Sequence, residues 1–440
     1  MRVNSMKTAA RTVAAGAAVA VSLGSAQAAL AAPAPGVPPA NVVQVPCIPG
    51  ALAADITSAV AGQTLNLVRS CNYRLTSALP VITKNLTIQG NGATLQRSYI
   101  PGTPDFSILT VNSGAVLVLN YLNLRNGDSA GDIAPPATGS KGSAVKGDGP
   151  VNNSGYGGAI YNNNGTVTVN GGTLSNNTST IEGGAIYSKT RLTVNRVLFV
   201  GNTSVSGGAI ATLFDDPATV NHSTFNANRA ADGGAIFVND SMTVTDSGFT
   251  KNTSTDSGGA IYVNDGSPTV TGSYFSQNQA QHGGGLYNES TLTVTGGSFT
   301  GNTAASDGGG IRNDNTMTVN GTAFSLNGAD DGGGLYNDST LSMNGGSFTS
   351  NTAASDGGGI DNEDTMALTS TVFSLNQAED GGGIYNNEDA TITDSQITDN
   401  TASSTGGGIF NNEDVTLTTS VVDNNHPDNC AGVSVTGCTG

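Results

Sequence analysis

Residues 183–202 read GGAIYSKTRLTVNRVLFVGN, and their pattern decides the fold. The stretch holds three short apolar runs: one ends at Ile186, one spans Leu192 to Val194, and one centres on Phe199. In the middle run apolar residues alternate with Thr193 and Asn195, which is the period of a β-strand. The same string recurs. Gly-Gly-(Ala/Gly)-(Ile/Leu) occurs eleven times, ending at Ile160, Ile186, Ile210, Ile236, Ile261, Leu286, Ile311, Leu335, Ile360, Ile384 and Ile409. Two further columns keep step with it. An aliphatic column runs from Val169 to Leu417, and a second runs from Leu174 through Phe199, Phe225 and onward to Val422. An Asn follows each member of the last column by three residues, from Asn177 to Asn425.

A unit of about 25 residues with three short strands cannot bury its own apolar face, so it must stack on copies of itself. Stacked strands lie about 4.8 Å apart, so eleven coils make a rod of roughly 50 Å. The expected fold is all-β: a right-handed parallel β-helix, or solenoid, of about fourteen coils of roughly 25 residues. The phenylalanines from Phe199 to Phe373 should stack as an interior ladder. The asparagines should form a second ladder at a turn, since Asn tolerates left-handed backbone and can bond to its copy. The glycine pairs suit a turn with unusual dihedrals or a close backbone approach. They are not a phosphate loop, because no helix follows them.

The flanking segments divide the chain further. Residues 1–28 read as a signal peptide: Arg2, Lys7 and Arg11, an apolar run from Val13 to Leu23, then Ala26-Gln27-Ala28. Residues 29–46 are a Pro/Ala-rich linker, and 47–126 a cap with about three irregular first coils. Within the cap, Leu52, Ile56 and Val60 stand at helical spacing and predict a short helix covering the open end of the core. Residues 127–156 are a long loop, 157–425 the eleven regular coils and 426–440 a closing segment. No segment offers the roughly 20 apolar residues of a membrane helix. The expectation is an extracellular protein, secreted or loosely attached to the cell surface.

The 440 residues include 61 Gly, lack Trp and carry a net charge of −17. Glycine lacks the every-third spacing of collagen, and 11% charged residues exclude a coiled coil. The charge is unevenly placed. From 151 onward there are 6 basic and 28 acidic residues, and no Lys or Arg follows Arg312. Such a rod is no nucleic-acid binder, since phosphate contacts need clustered cations. The four cysteines, in an exported chain, are disulfides by default. A rod keeps its ends beyond the roughly 7 Å Cα limit of a disulfide. The pairs are then Cys47 with Cys71 and Cys430 with Cys438.

The paired Gly-Gly-Ala-Ile and Phe-x-x-Asn motifs over 157–425 resemble the polymorphic outer membrane protein (Pmp) repeats of right-handed β-helix surface proteins. The resemblance implies a surface or secreted passenger with an adhesive role. Such proteins usually carry a C-terminal export barrel, and the expectation for this chain is a passenger without one.

Several columns are candidates for function. Acids stand before the glycines at Asp307, Asp331, Asp356 and Asp380, and others follow the isoleucine strand, among them Glu289, Asp314, Asp338 and Glu363. Neighbouring carboxylates about 5 Å apart repel, and Ca²⁺ would relieve this. Solvated turn carboxylates that keep the rod soluble are the favoured alternative. The two columns lie at opposite ends of a strand, so one ion should not bridge them. An aromatic column after the isoleucines includes Tyr161, Tyr187, Tyr262, Tyr287, Tyr336 and Tyr385. By alternation these rings point outward and are candidate platforms for sugar rings. Packing against the adjacent glycine wall is the competing reading. Ala211, Arg312 and Asp361 interrupt the row. A threonine column from Thr168 to Thr416 could form a flat lattice, although Thr is a favoured exposed strand residue anyway.

No nucleophile–base set and no catalytic residues emerge from the pattern, and the three histidines are too far apart to share a metal. The functional expectation is an interaction rod for a polysaccharide or cell-surface ligand. The alternative is a carbohydrate-active enzyme, a lyase or a hydrolase, whose basic residues would be Arg125, Lys141 and Lys146 at the long loop.

Overall fold

The computed structural model describes residues 41–129, 155–213 and 216–438. The signal peptide, residues 29–40 of the linker, and the body of the long loop with Lys141 and Lys146 lie outside the described residues. The chain from Asn41 onward forms one compact unit. It is a parallel β-solenoid of about fifteen turns, with strands stacked in sheets of fifteen, fourteen, thirteen and eight.

Three of the four sheets are the three apolar columns. The valine sheet pairs Val167–Val169 with Leu192–Val194, and so on to Val415–Leu417, always in parallel and in register. The phenylalanine sheet aligns Phe199, Phe225, Phe249, Phe275, Phe299, Phe324, Phe348 and Phe373. Their rings stack at centroid distances from 4.4 to 5.2 Å and within 8° of parallel. The isoleucine sheet aligns Ile160 through Ile409. All three columns belong to one continuous buried core.

The fourth sheet was not legible from the apolar pattern. It begins at Arg229–Asp232 and ends at Thr401–Thr405, and several of its strands are only two residues long. Three of these send one small residue inward, Ala280, Ala304 or Ala353, whereas Gly328–Ala329 is only half-buried. A two-residue strand with a single buried alanine has no period to read.

The asparagine ladder closes the corner after the phenylalanine sheet. In each step the amide Nδ2 and the backbone N–H of one Asn both donate to Oδ1 of the next. Asn278 donates to Asn302 at 3.0 Å and 2.9 Å, and Asn302 to Asn327 at 3.0 Å twice. The second Nδ2 proton goes back to the carbonyl of a phenylalanine, as from Asn302 to Phe275 at 3.0 Å. Every amide hydrogen is thereby used, so the column can be fully buried. Before the isoleucine strands the glycines are steric requirements. Gly308 has φ +69°, and a Cβ on Gly309 would stand 2.3 Å from the Gly333 carbonyl oxygen. Only glycine fits where backbones of adjacent coils approach this closely.

The N-terminal end differs in two places from the sequence expectation. Val42–Val45, placed in the linker, is a strand of the valine sheet paired in parallel with Thr64–Leu67. The capping helix spans Pro49–Ser58, starting on a proline, which suits the first helical position. Leu52 and Ile56 are buried in the core as expected, but Val60 lies past the helix end and is exposed. Ala59 is buried instead. Cys47 is bonded to Cys71 and Cys430 to Cys438, with Cα separations of 5.8 and 6.3 Å.

Candidate functional site

The outer surface of the isoleucine sheet gathers most of the candidate residues. Its outward column reads Tyr161, Tyr187, Ala211, Phe237, Tyr262, Tyr287, Arg312, Tyr336, Asp361, Tyr385 and Phe410, in register. The column of Glu182, Asp232, His282, Asp307, Asp331, Asp356 and Asp380 flanks it on one side. On the other side stand Asn163, Glu289, Asp314, Asp338, Glu363 and Asn387.

The expected row of open rings is corrected by this arrangement. Tyr161, Tyr187, Phe237, Tyr262 and Tyr287 are buried in a second apolar cluster outside the main core. Tyr336 and Tyr385 are half-buried. The rings point away from the core, as alternation requires, but they stack along the rod. Tyr161 lies 5.8 Å from Tyr187 and within 5° of parallel, and Tyr385 pairs with Phe410 at 5.1 Å. Tyr156, at the end of the long loop, adds a ring 4.6 Å from Tyr187. Stacked rings cover one another's faces and leave mainly edges and hydroxyls outward. The hydroxyls bond sideways into the acidic column: Tyr262 donates to Glu289 at 2.6 Å, and Tyr287 to Asp314 and Glu289.

The two acidic columns are also not independent. Arg312 lies between them and joins both. Its Nη1 pairs with Asp307, its Nε with Asp314 at 2.7 Å, and its Nη2 approaches Asp338 at 3.8 Å. Its guanidinium carbon sits 5.6 Å from the Tyr287 ring centroid and 5.0 Å from that of Tyr336, a cation between two π faces. His282 Nδ1 is 2.8 Å from Asp307. Burial pushes the Asp307 carboxyl up, yet hydrogen bonds from His282 and Ser306 and the Arg312 charge outweigh it and hold it below its ordinary value.

Beyond Arg312 the same walls lack a cation. Burial, then the charges of Asp331 and Asp380, raise Asp356 to about 6. Asp331 is raised by burial and by neighbouring acids, against a lowering backbone hydrogen bond. Asp361 is 2% exposed, its Oδ1 has no hydrogen-bond partner among the described residues, and burial followed by Glu363, Asp331 and Asp356 raises it well above the usual carboxylate range. At the other end, burial alone raises Glu182 to about 7. Asp232 is also raised to about 7, by burial and then Asp256 and Glu289.

Asp307, Asp331, Asp356 and Asp380, the candidate Ca²⁺ ligands, lie in one column. No group of three or more His, Cys, Asp or Glu among the described residues converges as a metal site. Of the basic residues near the long loop, only Arg125 is described, and it is exposed. The threonine column is in register from Thr168 to Thr416 on the valine sheet and is half-buried to exposed. Sequence reasoning missed a second asparagine ladder. Asn288, Asn313, Asn337, Asn362, Asn386 and Asn411 bond in series at 2.8 to 3.0 Å. Its sign in the sequence was the Asn that follows Tyr287, Arg312, Tyr336, Asp361, Tyr385 and Phe410.

A family model described as the Chlamydia polymorphic membrane protein repeat matches residues 162–189, 249–264 and 296–314. No curated protein and no solved structure matches the chain. No helix among the described residues is long and apolar enough to cross a membrane.

Proposed function

We propose that this chain, which carries repeats of the polymorphic membrane protein type, is a cell-surface interaction rod displayed outside the cell. Its ligand would lie along the outer surface of the isoleucine sheet. One observation carries this reading: carboxylates and asparagine amides recur there in register from coil to coil, with the hydroxyls of Tyr262, Tyr287, Tyr336 and Tyr385 among them. A rigid wall with a repeat of about 5 Å suits a repetitive ligand such as a polysaccharide. Because the rings show edges, sugar hydroxyls would be held by hydrogen bonds to Asp338, Glu363 and the tyrosine hydroxyls rather than by stacking.

The full chain should be retained on one class of polysaccharide in a glycan array, or on intact cells. The pair Asp338→Asn with Glu363→Gln should weaken retention about tenfold, because the amide oxygens still accept both hydrogen bonds but without the charge. An array and a cell panel that both stay blank would remove the adhesive reading. A hydrolase is the second reading, favoured by Asp356 at about 6 beside Asp331 and Asp380. A raised carboxyl with other carboxyls beside it is a pattern from which an acid–base pair can be built. Release of reducing ends from a polysaccharide panel separates the two.

A further inference from the structure

The outward column of the isoleucine sheet is interrupted twice in its acidic half, and the two interruptions have the same surroundings. Arg312 lies between Tyr287 and Tyr336, and Asp361 between Tyr336 and Tyr385. Arg312 has an acid five residues before it, Asp307, and another two residues after it, Asp314. Asp361 has Asp356 and Glu363 at the same offsets. The first slot is filled by a guanidinium that stacks between its two rings and pairs with both walls. The second has the rings and both walls, but a short carboxyl at its floor.

That carboxyl is buried at 2% exposure, and its Oδ1 lacks a partner. Hydrogen-bond donors are what the slot is missing, and so is positive charge. This chain cannot supply the charge from its later coils, because no Lys or Arg follows Arg312. Strand positions two coils apart stand about 10 Å from each other, the span that Arg312 fills between Tyr287 and Tyr336; Asp361 is covered at 2% exposure, so a planar group enters its slot as the neighbouring side chains turn aside. A guanidinium meets each demand: it is flat, stacks on aromatic faces, and donates to several carboxylates in its own plane.

We propose that the Asp361 slot binds a guanidinium cation from outside the chain, which takes between Tyr336 and Tyr385 the place that Arg312 takes between Tyr287 and Tyr336. Asp361 accepts hydrogen bonds at the floor, and Asp356 and Glu363 close on the cation from the sides. The site holds whether or not the rod also binds a polysaccharide. The source is a free small guanidine or an arginine side chain of a partner protein.

The groups facing the slot are Asp331, Asp356 and Asp380 on one side, Asp338 and Glu363 on the other, and Tyr336 and Tyr385 along the rod. Burial, then the charges of Glu363, Asp331, Asp356 and Asp307, raise the Asp361 carboxyl well above its ordinary value and so favour its protonated form. A cation favours the ionised form, so binding releases a proton and tightens as pH rises.

Calorimetric titration of the full chain with agmatine tests this. Saturable binding is expected, with proton release seen as a dependence of the heat on the buffer. Asp361→Asn should weaken it at least tenfold without lowering the melting temperature. Asp361→Arg should abolish it, and should raise the melting temperature by filling the slot from within. A short peptide with one central arginine separates the sources. Tighter binding than agmatine points to a protein side chain, and weaker binding to a free guanidine. No saturable heat with either probe overturns the proposal. So does equal binding by wild type and Asp361→Asn, or displacement of agmatine by millimolar Ca²⁺ that itself requires Asp361, which would make the slot a metal site.

Discussion

The asparagine column shows how much one residue decides in a stacked fold. Asn302 accepts two hydrogen bonds from Asn278 through one oxygen and donates to Phe275 and Asn327. Asn302→Ala would leave both Asn278 donors buried without an acceptor, and two carbonyl-type acceptors lose a donor. Each orphaned donor costs about 1–3 kcal/mol, so the loss should be about 3 kcal/mol or more. Urea denaturation checks this; a shift below about 1 kcal/mol would mean that water replaces the amide. The glycines act at the same scale by steric exclusion, as Gly309 does against the Gly333 carbonyl. Both features were legible in the sequence. A residue that must fit against its own copy is repeated in every coil.

The strand is the scale at which the core is built. Phe299 lies 4.4 Å from Phe275 and 5.2 Å from Phe324, ring centre to ring centre, and is fully buried. Phe299→Ala should cost about 3–5 kcal/mol, through lost transfer free energy and a cavity that its stacked neighbours cannot fill. In a solenoid that loss is shared with adjacent coils, so denaturation should also become less cooperative. A mid-ladder substitution that leaves the melt unchanged would contradict this. The valine, phenylalanine and isoleucine strands could be read from the sequence because each buries a large apolar residue at fixed spacing. The alanine strands could not, since Ala280 or Ala304 alone gives no contrast with the surrounding Thr and Ser. The outward tyrosines could be placed on the correct side of the strand but not assigned an exposure. Alternation fixes the direction of a Cβ, whereas stacking on Tyr187 or Tyr287 is decided by the ring's next torsion and its neighbours.

The whole rod carries an acid excess that shapes its response to pH. Glu182 and Asp232 are raised to about 7 and Asp356 to about 6, all above the unfolded carboxylate range. The folded state therefore binds protons more tightly than the unfolded one. These groups favour the fold fully below about pH 4, and the benefit is lost as pH rises through 6 to 7. Asp307 has the opposite sign, because its paired carboxylate stabilises the fold above pH 4 and is lost in stronger acid. The melting temperature should thus be higher at pH 5 than at pH 8 and fall again well below pH 4. Glu182→Gln with Asp232→Asn should flatten the rise. A scan of melting temperature against pH checks both, and a melt that is steady or rising from pH 5 to 8 would refute the assignment.

The sequence by itself determined the period, the three large apolar columns, both disulfide pairs and the first asparagine ladder. The physical reason is that stacking turns a spacing of 24 to 26 residues into direct contact, so a one-dimensional repeat is already a list of neighbours. Only the tertiary structure decided what happens around the circumference of a coil. It laid the tyrosine rings over one another and set Arg312 between two acidic columns that the sequence placed apart. It left Asp361 at the floor of the next slot, with the same walls and no cation. Those relations depend on where the corners fold and how side chains lean across a coil, and no spacing along the chain encodes them.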